Sequence, residues 1–309
     1  MLLRLQKGRI SMSLTGTECI FIILLVRFVQ QYCSKSSSLL LPKTLYGNTK
    51  YFMLTKLLAA VFAAVLLVTE GGIHRVDLPT VLISAGSGVM LVVSSVCGLY
   101  AIKSGTMALS SMFATAGLIV PCVAGIFLYD EQMSLWQWGG VALFLASSYL
   151  LIGASKKMYA SFSVKTLLLL VGSMLSNGVT MMLQTVFKRT VTGGSVTAFS
   201  FFSFILPALL LLVLMGAFRL QKPSECSEKL QKKLVVFAFI SAAALFAVNQ
   251  LATLAADKVE PVVLFTFING GNTLIAAVIA AVFFKEKITL KSACGLVLGV
   301  AALVVVKAL

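Results

Sequence analysis

Charged residues are scarce in this chain, and their scarcity excludes an ordinary soluble fold. Asp, Glu, Lys and Arg make up 11% of the 309 residues, against roughly 25% in an average soluble domain. Hydrophobic residues make up 59%, more than one soluble core of this size could hide from water. The composition therefore predicts an all-α membrane protein that crosses the lipid bilayer several times.

Acidic residues and histidine are the rarest reactive groups, with 10 Asp and Glu and a single His against 25 Lys and Arg. No cluster of His, Cys and carboxylates has metal-ligand spacing, the six cysteines form no CxxC pair, and no phosphate loop or nucleophile motif occurs. We therefore expect no enzyme activity, no metal and no cofactor. The net charge of +15 does not predict nucleic-acid binding, because the basic residues are scattered through short connectors.

Long apolar runs dominate what remains, and ten of them are long enough for a spanning helix of about 20 residues. The longest polar connectors, "QYCSKSSSLLLPKTLYGNTK" and "FRLQKPSECSEKLQKK", are too short to form a domain. The fourth and ninth runs follow their predecessors almost directly, which predicts tight helical hairpins at Lys103 and Lys258. The predicted spans are 12–33, 51–69, 79–101, 104–128, 135–153, 164–187, 195–217, 233–255, 260–284 and 289–307.

Two stretches half a chain apart resemble each other. "FLYDEQMSLWQWGGVALFLA" and "FFKEKITLKSACGLVLGVAA" align with Glu131 over Glu286 and Gly140 over Gly295, a register of 155 residues. The register also places the two hairpin lysines over one another. The pattern predicts a five-span unit that occurs twice, in residues 1–157 and 158–309.

Because five is an odd number, the second unit must enter the membrane from the opposite side. The sequence therefore predicts ten transmembrane helices in two inverted five-helix repeats. This architecture is typical of secondary transporters, whose substrate site lies near the midplane between the halves. A duplicated helix bundle without a transport role is the alternative.

Two longer runs carry a family resemblance: "SGTMALSSMFATAGLIVPCVAGIFLYDEQMSLWQWGGVALFLASSYLLIG" and "EPVVLFTFINGGNTLIAAVIAAVFFKEKITLKSACGLVLGVAALVVV". They resemble the paired halves of the drug/metabolite transporter superfamily, and most closely its EamA-type ten-span exporters. The resemblance implies a carrier of small metabolites in the cell membrane, with both termini cytoplasmic.

Nucleotide-sugar transporters belong to the same superfamily and are a second candidate. "YFMLTKLLAAVFAAVLL" and "LIVPC" are similar to their sequences. In those carriers a Lys that meets a phosphate typically stands two residues before the Pro of the fourth span. Here Ile119 stands at that place before Pro121, which departs from the pattern.

Charged residues within spans are costly and are therefore candidates for function. Arg27 and Lys56 lie at similar depth in adjacent spans, so that two cations at a cavity mouth would favour an anionic or zwitterionic substrate. Alternatively, each long side chain reaches the membrane surface by snorkelling. Glu18 is a candidate for proton coupling, or it begins the first helix, where a carboxylate is favourable.

Neutral polar side chains occur in the middle of spans in both halves. They either hydrogen-bond helices together, for about 0.6 kcal/mol each, or orient a polar solute. Pro121 and Pro207 are expected kinks. The candidate substrate-binding residues besides Arg27 and Lys56 are Ser94, Ser95, Asn177, Gln184, Asn249, Gln250, Asn269 and Asn272.

The sequence thus predicts a secondary-active exporter of a small polar, anionic or zwitterionic metabolite, which acts as a monomer or homodimer. A nucleotide-sugar antiporter and a non-transporting scaffold remain alternatives; an apolar, fully packed interface between the halves would favour the scaffold. The orientation signals conflict. The odd-numbered connectors carry 15 Lys and Arg, and the tails with the even-numbered connectors carry 8, so the positive-inside rule favours termini outside.

Overall fold

A computed structural model describes residues 3–6, 9–12, 14–42, 44–71, 76–103, 113–152, 163–221, 230–285 and 289–308. Two short antiparallel strands precede the helices and pair Leu3 with Met12 and Gln6 with Arg9. Ten α-helices then follow within the described residues, in agreement with the ten predicted spans. The elements are β1 (Leu3–Gln6), β2 (Arg9–Met12), α1 (Gly16–Leu40), α2 (Leu45–Thr69), α3 (Leu78–Lys103), α4 (Ile119–Tyr129), α5 (Leu135–Ile152), α6 (Val164–Thr190), α7 (Val196–Gln221), α8 (Lys232–Ala255), α9 (Pro261–Val282) and α10 (Leu290–Ala308).

Seven of these helices are long and apolar enough to cross a membrane by length and composition: α1, α2, α3, α6, α7, α8 and α9. Two shorter apolar helical segments span Phe113–Tyr129 and Leu290–Val306. The chain is accordingly a multi-pass membrane protein.

The predicted bounds of the first span, 12–33, are wrong at both ends. Thr15 caps α1 and its side chain accepts from the Glu18 backbone N–H, so the helix begins at Gly16. Residues 34–40, predicted as a connector, are helical, and a serine hydroxyl there bonds back onto the helix: Ser37 Oγ donates to Cys33 O at 2.7 Å. Such back-bonding satisfies the serine side chains inside a helix.

The predicted start of the second span is also late, and the fourth span is interrupted. Thr44 caps α2 by accepting from the Gly47 backbone N–H. Residues 113–116 are helical, a turn occupies Gly117 and Leu118, and α4 begins at Ile119 with Pro121 in its first turn. The hairpin at Lys258 is confirmed, since α8 ends at Ala255 and α9 begins at Pro261. Residues 104–112, which would complete the hairpin at Lys103, lie outside the described part of the chain.

The most extensive helix contacts join the first five helices to the last five. They pair α5 with α10, α3 with α6, α2 with α7 and α1 with α8. When each helix is replaced by the one five places away along the chain, α3–α6 becomes α1–α8 and the reverse, while α5–α10 and α2–α7 each map onto themselves. The lesser pairs α3–α7 and α2–α8 exchange in the same way, as do α1–α9 and α4–α6.

The helix bundle has two ends, face A and face B. Face A carries the start of α1 and the connectors that contain Glu70, Asp130, Val191 and Lys258. Face B carries the α1–α2 connector and the other ends of the helices. Contacts of two connectors hold face A together. Lys258 Nζ donates to the carbonyl of Leu14, just before α1, at 2.7 Å, and Glu70 Oε2 accepts from Thr197 Oγ1, in the first turn of α7, at 2.9 Å.

The contact between α5 and α10 depends on a glycine. A Cβ at Gly140 would lie 2.5 Å from Val306 Cγ2, 3.1 Å from Val306 N and 3.2 Å from Ala302 O. The neighbouring Gly139 has no heavy atom within 4 Å of such a Cβ. Small residues allow helix backbones to approach closely in membrane proteins, and of these two neighbouring glycines Gly140 serves that approach.

Gly140→Ala should therefore destabilise the protein by about 1–3 kcal/mol, because two of the atoms that a new Cβ would meet belong to backbone. Gly139→Ala should leave the stability unchanged or raise it, since alanine favours a helix. Thermal unfolding of both variants in detergent measures the difference. Equal melting temperatures would contradict the close packing of α5 on α10.

Candidate functional site

A polar cavity of about 470 Å³ lies between the two halves of the chain. It is bounded by the middle of α1, the segment before α4, the middle of α6, and the part of α9 from Asn269 towards face B. Its volume falls in the usual range of small-molecule sites, roughly 300–1,000 Å³. The residues that line it are Arg27, Gln31, Ala114, Thr115, Asn177, Asn269, Asn272, Thr273, Ala276 and Ala277.

A second cavity of about 200 Å³ adjoins the first on its face A side. Arg27, Asn177 and Asn269 line both cavities, so they stand at the boundary between two chambers. The smaller chamber is more apolar, with Phe204, Phe265 and several aliphatic residues in its wall. Gln184 and Asn249 add two further amides to its wall.

Arg27 is the one charged residue among those that line the two chambers. Its Nη1 donates to Gln30 Oε1 at 2.8 Å, while its Nε is enclosed and has no hydrogen-bond partner within the described residues. The side chain is half-buried. Arg27 therefore faces the site, and its guanidinium retains N–H groups that could donate hydrogen bonds to an anionic group.

Lys56 lies behind the wall of the smaller chamber. It is 8% exposed, and its Nζ lies 5.6 Å from the ring centroid of Phe204, whose side chain lines that chamber. Lys56 and Arg27 are close enough to repel each other electrostatically. Lys56 is therefore enclosed by protein, and its charge can act on the site only through the Phe204 wall.

The amides predicted from the sequence divide into two groups. Asn177 Nδ2 donates to Ala114 O at 2.8 Å and Asn272 Oδ1 accepts from Gln31 Nε2 at 2.6 Å. Asn269 Nδ2 donates to Phe265 O at 2.9 Å in its own helix. All three line the larger chamber, and each keeps polar atoms beyond these bonds.

Gln184 and Asn249 form the second group, at the inner end of the smaller chamber. Gln184 Nε2 donates to Asn249 Oδ1 at 2.6 Å, and both side chains are nearly buried. Asn249 Nδ2 donates in turn to Ser200 Oγ at 3.1 Å. Gln250 lies outside both chambers and bonds to Thr197 and Ser200.

The remaining predicted residues do not reach the cavities. Ser94 contacts Ser173 across α3 and α6, with their hydroxyls 3.4 Å apart. Ser95 Oγ donates to Leu91 O in its own helix at 2.7 Å. Glu18 is exposed in the first turn of α1, where its Oε2 accepts from the Thr15 backbone N–H at 2.8 Å. The structure therefore places Glu18 at the start of a helix and away from the chambers.

Gln31 is the site residue that the sequence reasoning missed. It begins the polar stretch that was read as the connector after the first span, although the predicted span 12–33 still includes it. Once α1 is extended to Leu40, Gln31 follows Arg27 by four residues and lies on the same helix face. That spacing was the available signal.

An ion pair and a hydrogen bond join the two halves at face A. Glu131 Oε1 and Arg189 Nη1 are 2.6 Å apart, and the Arg189 guanidinium lies 4.5 Å from the ring centroid of Tyr129. Gln137 Nε2 donates to Glu260 Oε2 at 3.0 Å. These contacts join the two halves at face A, and both chambers are partly open. Glu286, the repeat partner of Glu131, lies outside the described residues.

No group of three or more His, Cys, Asp and Glu that could hold a metal ion occurs within the described residues. The polar cavity, with its single cation and its amides, is suited to hydrogen-bonding and to attracting an anionic group. Nothing in it resembles a catalytic arrangement of acid, base and nucleophile.

Comparison with known proteins agrees with the predicted resemblance. Residues 164–308 match the model of the EamA-like transporter family, and this match confirms the predicted resemblance for the second half of the chain. Comparison with curated proteins gave no match. A solved structure described as "Crystal structure of protein" aligns with 95% of this chain and 97% of its own, with a TM-score of 0.74 and 14% identity. At that identity the likeness shows the shared fold alone.

Proposed function

We propose that this chain, whose residues 164–308 belong to the EamA-like transporter family, is a secondary-active exporter of a small polar, anionic or zwitterionic metabolite. The observation that carries the proposal is the polar cavity between the halves, with Arg27 at the junction of its two chambers. A transporter role in general follows from the family match; the substrate class, the direction of transport and the mechanism belong to the proposal.

The helix contacts support alternating access between two inverted repeats. The pairs α1–α8 and α3–α6 exchange when each helix is replaced by the one five places away, and α2–α7 and α5–α10 map onto themselves. Two halves that contact each other in this reciprocal way can rock around a site at their interface. The ion pairs at face A would then open as the opposite face closes.

The charge of Arg27 supports the substrate class. A cation about 6 Å from one such charge would meet roughly 3 kcal/mol of repulsion at an effective dielectric constant of about 20. A carboxylate would be attracted by a similar amount and could accept from the guanidinium. Neutral polar parts of the solute would bond to Gln31, Asn177 and Asn272.

The alternatives differ in what they require of the interface. A scaffold would be served by an apolar, packed interface, and the cavity of about 470 Å³ with its polar wall argues against it. A nucleotide-sugar antiporter would need a second strong phosphate contact. Ile119, at the place of the expected Lys, packs against the hydrophobic core.

Transport by purified protein in liposomes tests the proposal. Liposomes preloaded with single amino acids or organic acids should exchange the true substrate class at rates well above protein-free liposomes. A quaternary ammonium dye should not be moved. Robust transport of the dye with no exchange of any carboxylate solute would overturn the proposed substrate class, and exchange of nucleotide sugars alone would favour the antiporter.

A further inference from the structure

A continuous chain of side-chain hydrogen bonds runs from the smaller chamber to face A. It begins at Gln184 and Asn249 in the chamber wall and ends at Glu70, the residue after α2. Each link is a bond between two side chains on different helices or connectors. In order, the members are Gln184, Asn249, Ser200, Gln250, Thr197 and Glu70.

The Glu70 carboxylate, at the face A end, fixes the direction of its hydrogen bond with Thr197. An ionised carboxylate only accepts hydrogen bonds, so the Thr197 hydroxyl donates to Glu70 Oε2, at 2.9 Å. A hydroxyl has a single hydrogen. Thr197 Oγ1 can therefore only accept from Gln250, which must turn its Nε2 towards it, at 2.8 Å.

The same reasoning orients the next two members. With its Nε2 used on Thr197, Gln250 presents its Oε1 to Ser200, whose hydroxyl donates to it at 2.8 Å. The single hydrogen of Ser200 is then used. Asn249 must turn its Nδ2 towards Ser200, at 3.1 Å, and its Oδ1 towards Gln184.

Gln184 is the last member, and its orientation decides what the chamber presents. Its Nε2 donates to Asn249 Oδ1 at 2.6 Å, which leaves Oε1 as its remaining acceptor. That oxygen accepts no bond within the described residues, and it is not among the enclosed polar atoms that lack a partner. Since Gln184 lines the smaller chamber, this carbonyl oxygen is accessible from it.

We propose that Glu70 is a specificity-determining residue that acts through this chain, and that the smaller chamber selects solutes with a hydrogen-bond donor. The inference rests on the proposed function and deepens it. The solute places its anionic group at Arg27 and an N–H or O–H donor at Gln184 Oε1. Both residues line the smaller chamber, and the proposed role requires one solute to meet both from within it. The donor can be an ammonium or a hydroxyl group.

Two pairs of probes differ in that donor. Glycine and glycine betaine share a carboxylate and a positive nitrogen, and only glycine has N–H groups. Glycolate and methoxyacetate test a hydroxyl donor in the same way. With the purified full-length protein in detergent, thermal shift titrations should show the donor-bearing member of at least one pair binding about tenfold more tightly, as expected for a lost hydrogen bond that leaves an acceptor unpaired.

Glu70→Lys should reverse this preference. A lysine only donates hydrogen bonds, so Thr197 would accept from it and donate to Gln250. Each later amide or hydroxyl in the chain would then reverse its donor and acceptor roles. Gln184 would then present Nε2 to the chamber, and the tenfold preference for the donor-bearing probe should fall to one or below. Glu70 lines neither chamber, so the substitution leaves the space for both probes unchanged.

Asp130→Lys is the matched control. Asp130 is also exposed on face A, it belongs to no part of the chain of bonds, and the substitution adds the same charge. It should keep the preference of the wild type. Thr197→Val breaks the link to Glu70 without adding charge, and it should bring the ratio of affinities towards one, which keeps the test decisive if Glu70→Lys does not fold.

The outcomes separate this inference from the proposed function. If both members of every pair bind the wild type equally, or if neither Glu70→Lys nor Thr197→Val changes the ratio, the role of Glu70 is wrong and the carrier function stands. If no probe of either pair binds the wild type, the proposed substrate class is wrong, and this inference falls with it.

Discussion

Arg27→Gln should raise the KM for a carboxylate-bearing solute by roughly 30- to 150-fold and leave membrane insertion intact. A hydrogen bond to a charged group contributes about 2–3 kcal/mol in an enclosed site, and each 1.4 kcal/mol corresponds to tenfold. Arg27 has an enclosed Nε without a partner within the described residues, so the protein itself does not use that donor.

Two variants calibrate this result. Arg27→Lys keeps the charge and loses the planar fork, so its KM should lie between those of the wild type and Arg27→Gln. Arg219→Gln removes an exposed arginine near face B, and it should have no effect on KM. Initial rates of solute exchange in liposomes provide the measurement.

Lys56→Gln should have a smaller effect, because Lys56 lies behind Phe204 and does not line either chamber. An unchanged KM in Arg27→Gln, together with efflux of a quaternary ammonium dye by the wild type, would show that Arg27 has no part in choosing the solute.

Linking the two halves at face A should abolish transport, and breaking the link should restore it. Glu131 belongs to the first half and Arg189 to the second, and their ion pair joins the halves at face A. Alternating access requires this contact to separate in every cycle. Cysteines at both positions, joined by a short bifunctional thiosulfonate in a background without the six natural cysteines, would prevent the separation.

The neighbouring ion pair provides the matched control. Lys188 and Asp257 are 3.3 Å apart at the same face, but both belong to the second half. Joining cysteines at these positions should leave most of the transport activity, because the two positions move together. Equal loss of activity in both pairs would indicate that any constraint at face A inactivates the protein, and would contradict a rocking motion between the halves.

The number of helices could be predicted from the sequence because long apolar runs leave few alternatives in a membrane. The bounds were less predictable where polar residues occur inside a helix. Ser37 looks like part of a connector by composition, yet its hydroxyl bonds to the Cys33 carbonyl and accepts from Tyr51 Oη at 3.0 Å. The Cys33 carbonyl lies in the same helix, but only the tertiary fold brings the Tyr51 hydroxyl to Ser37.

The candidate site was predictable in its chemistry and only partly in its members. Arg27, Asn177 and Asn269 were recognised because polar residues within spans are costly unless they serve a purpose. Ser94 and Gln250 satisfied the same criterion, but they face neighbouring helices. The rotation of each helix decides between these two roles, and it is set by contacts from the other half of the chain, which one sequence does not display.

The role of Glu70 could not be predicted at all. In the sequence it is a carboxylate at the end of a span, with nothing to mark it. Its importance follows from five successive hydrogen bonds that connect it to Gln184. A chain of this kind depends on the relative positions of four helices.

Access to the cavity from each face is the most direct measure of the central claim, that solute passes between the two halves. A single cysteine at Ala276, in the wall of the larger chamber, would be treated with an impermeant thiol reagent added to one face at a time. The account predicts modification from face B at rest and from face A during solute exchange, with the latter abolished by the link between positions 131 and 189. Modification from one face only, under every solute gradient, would contradict it.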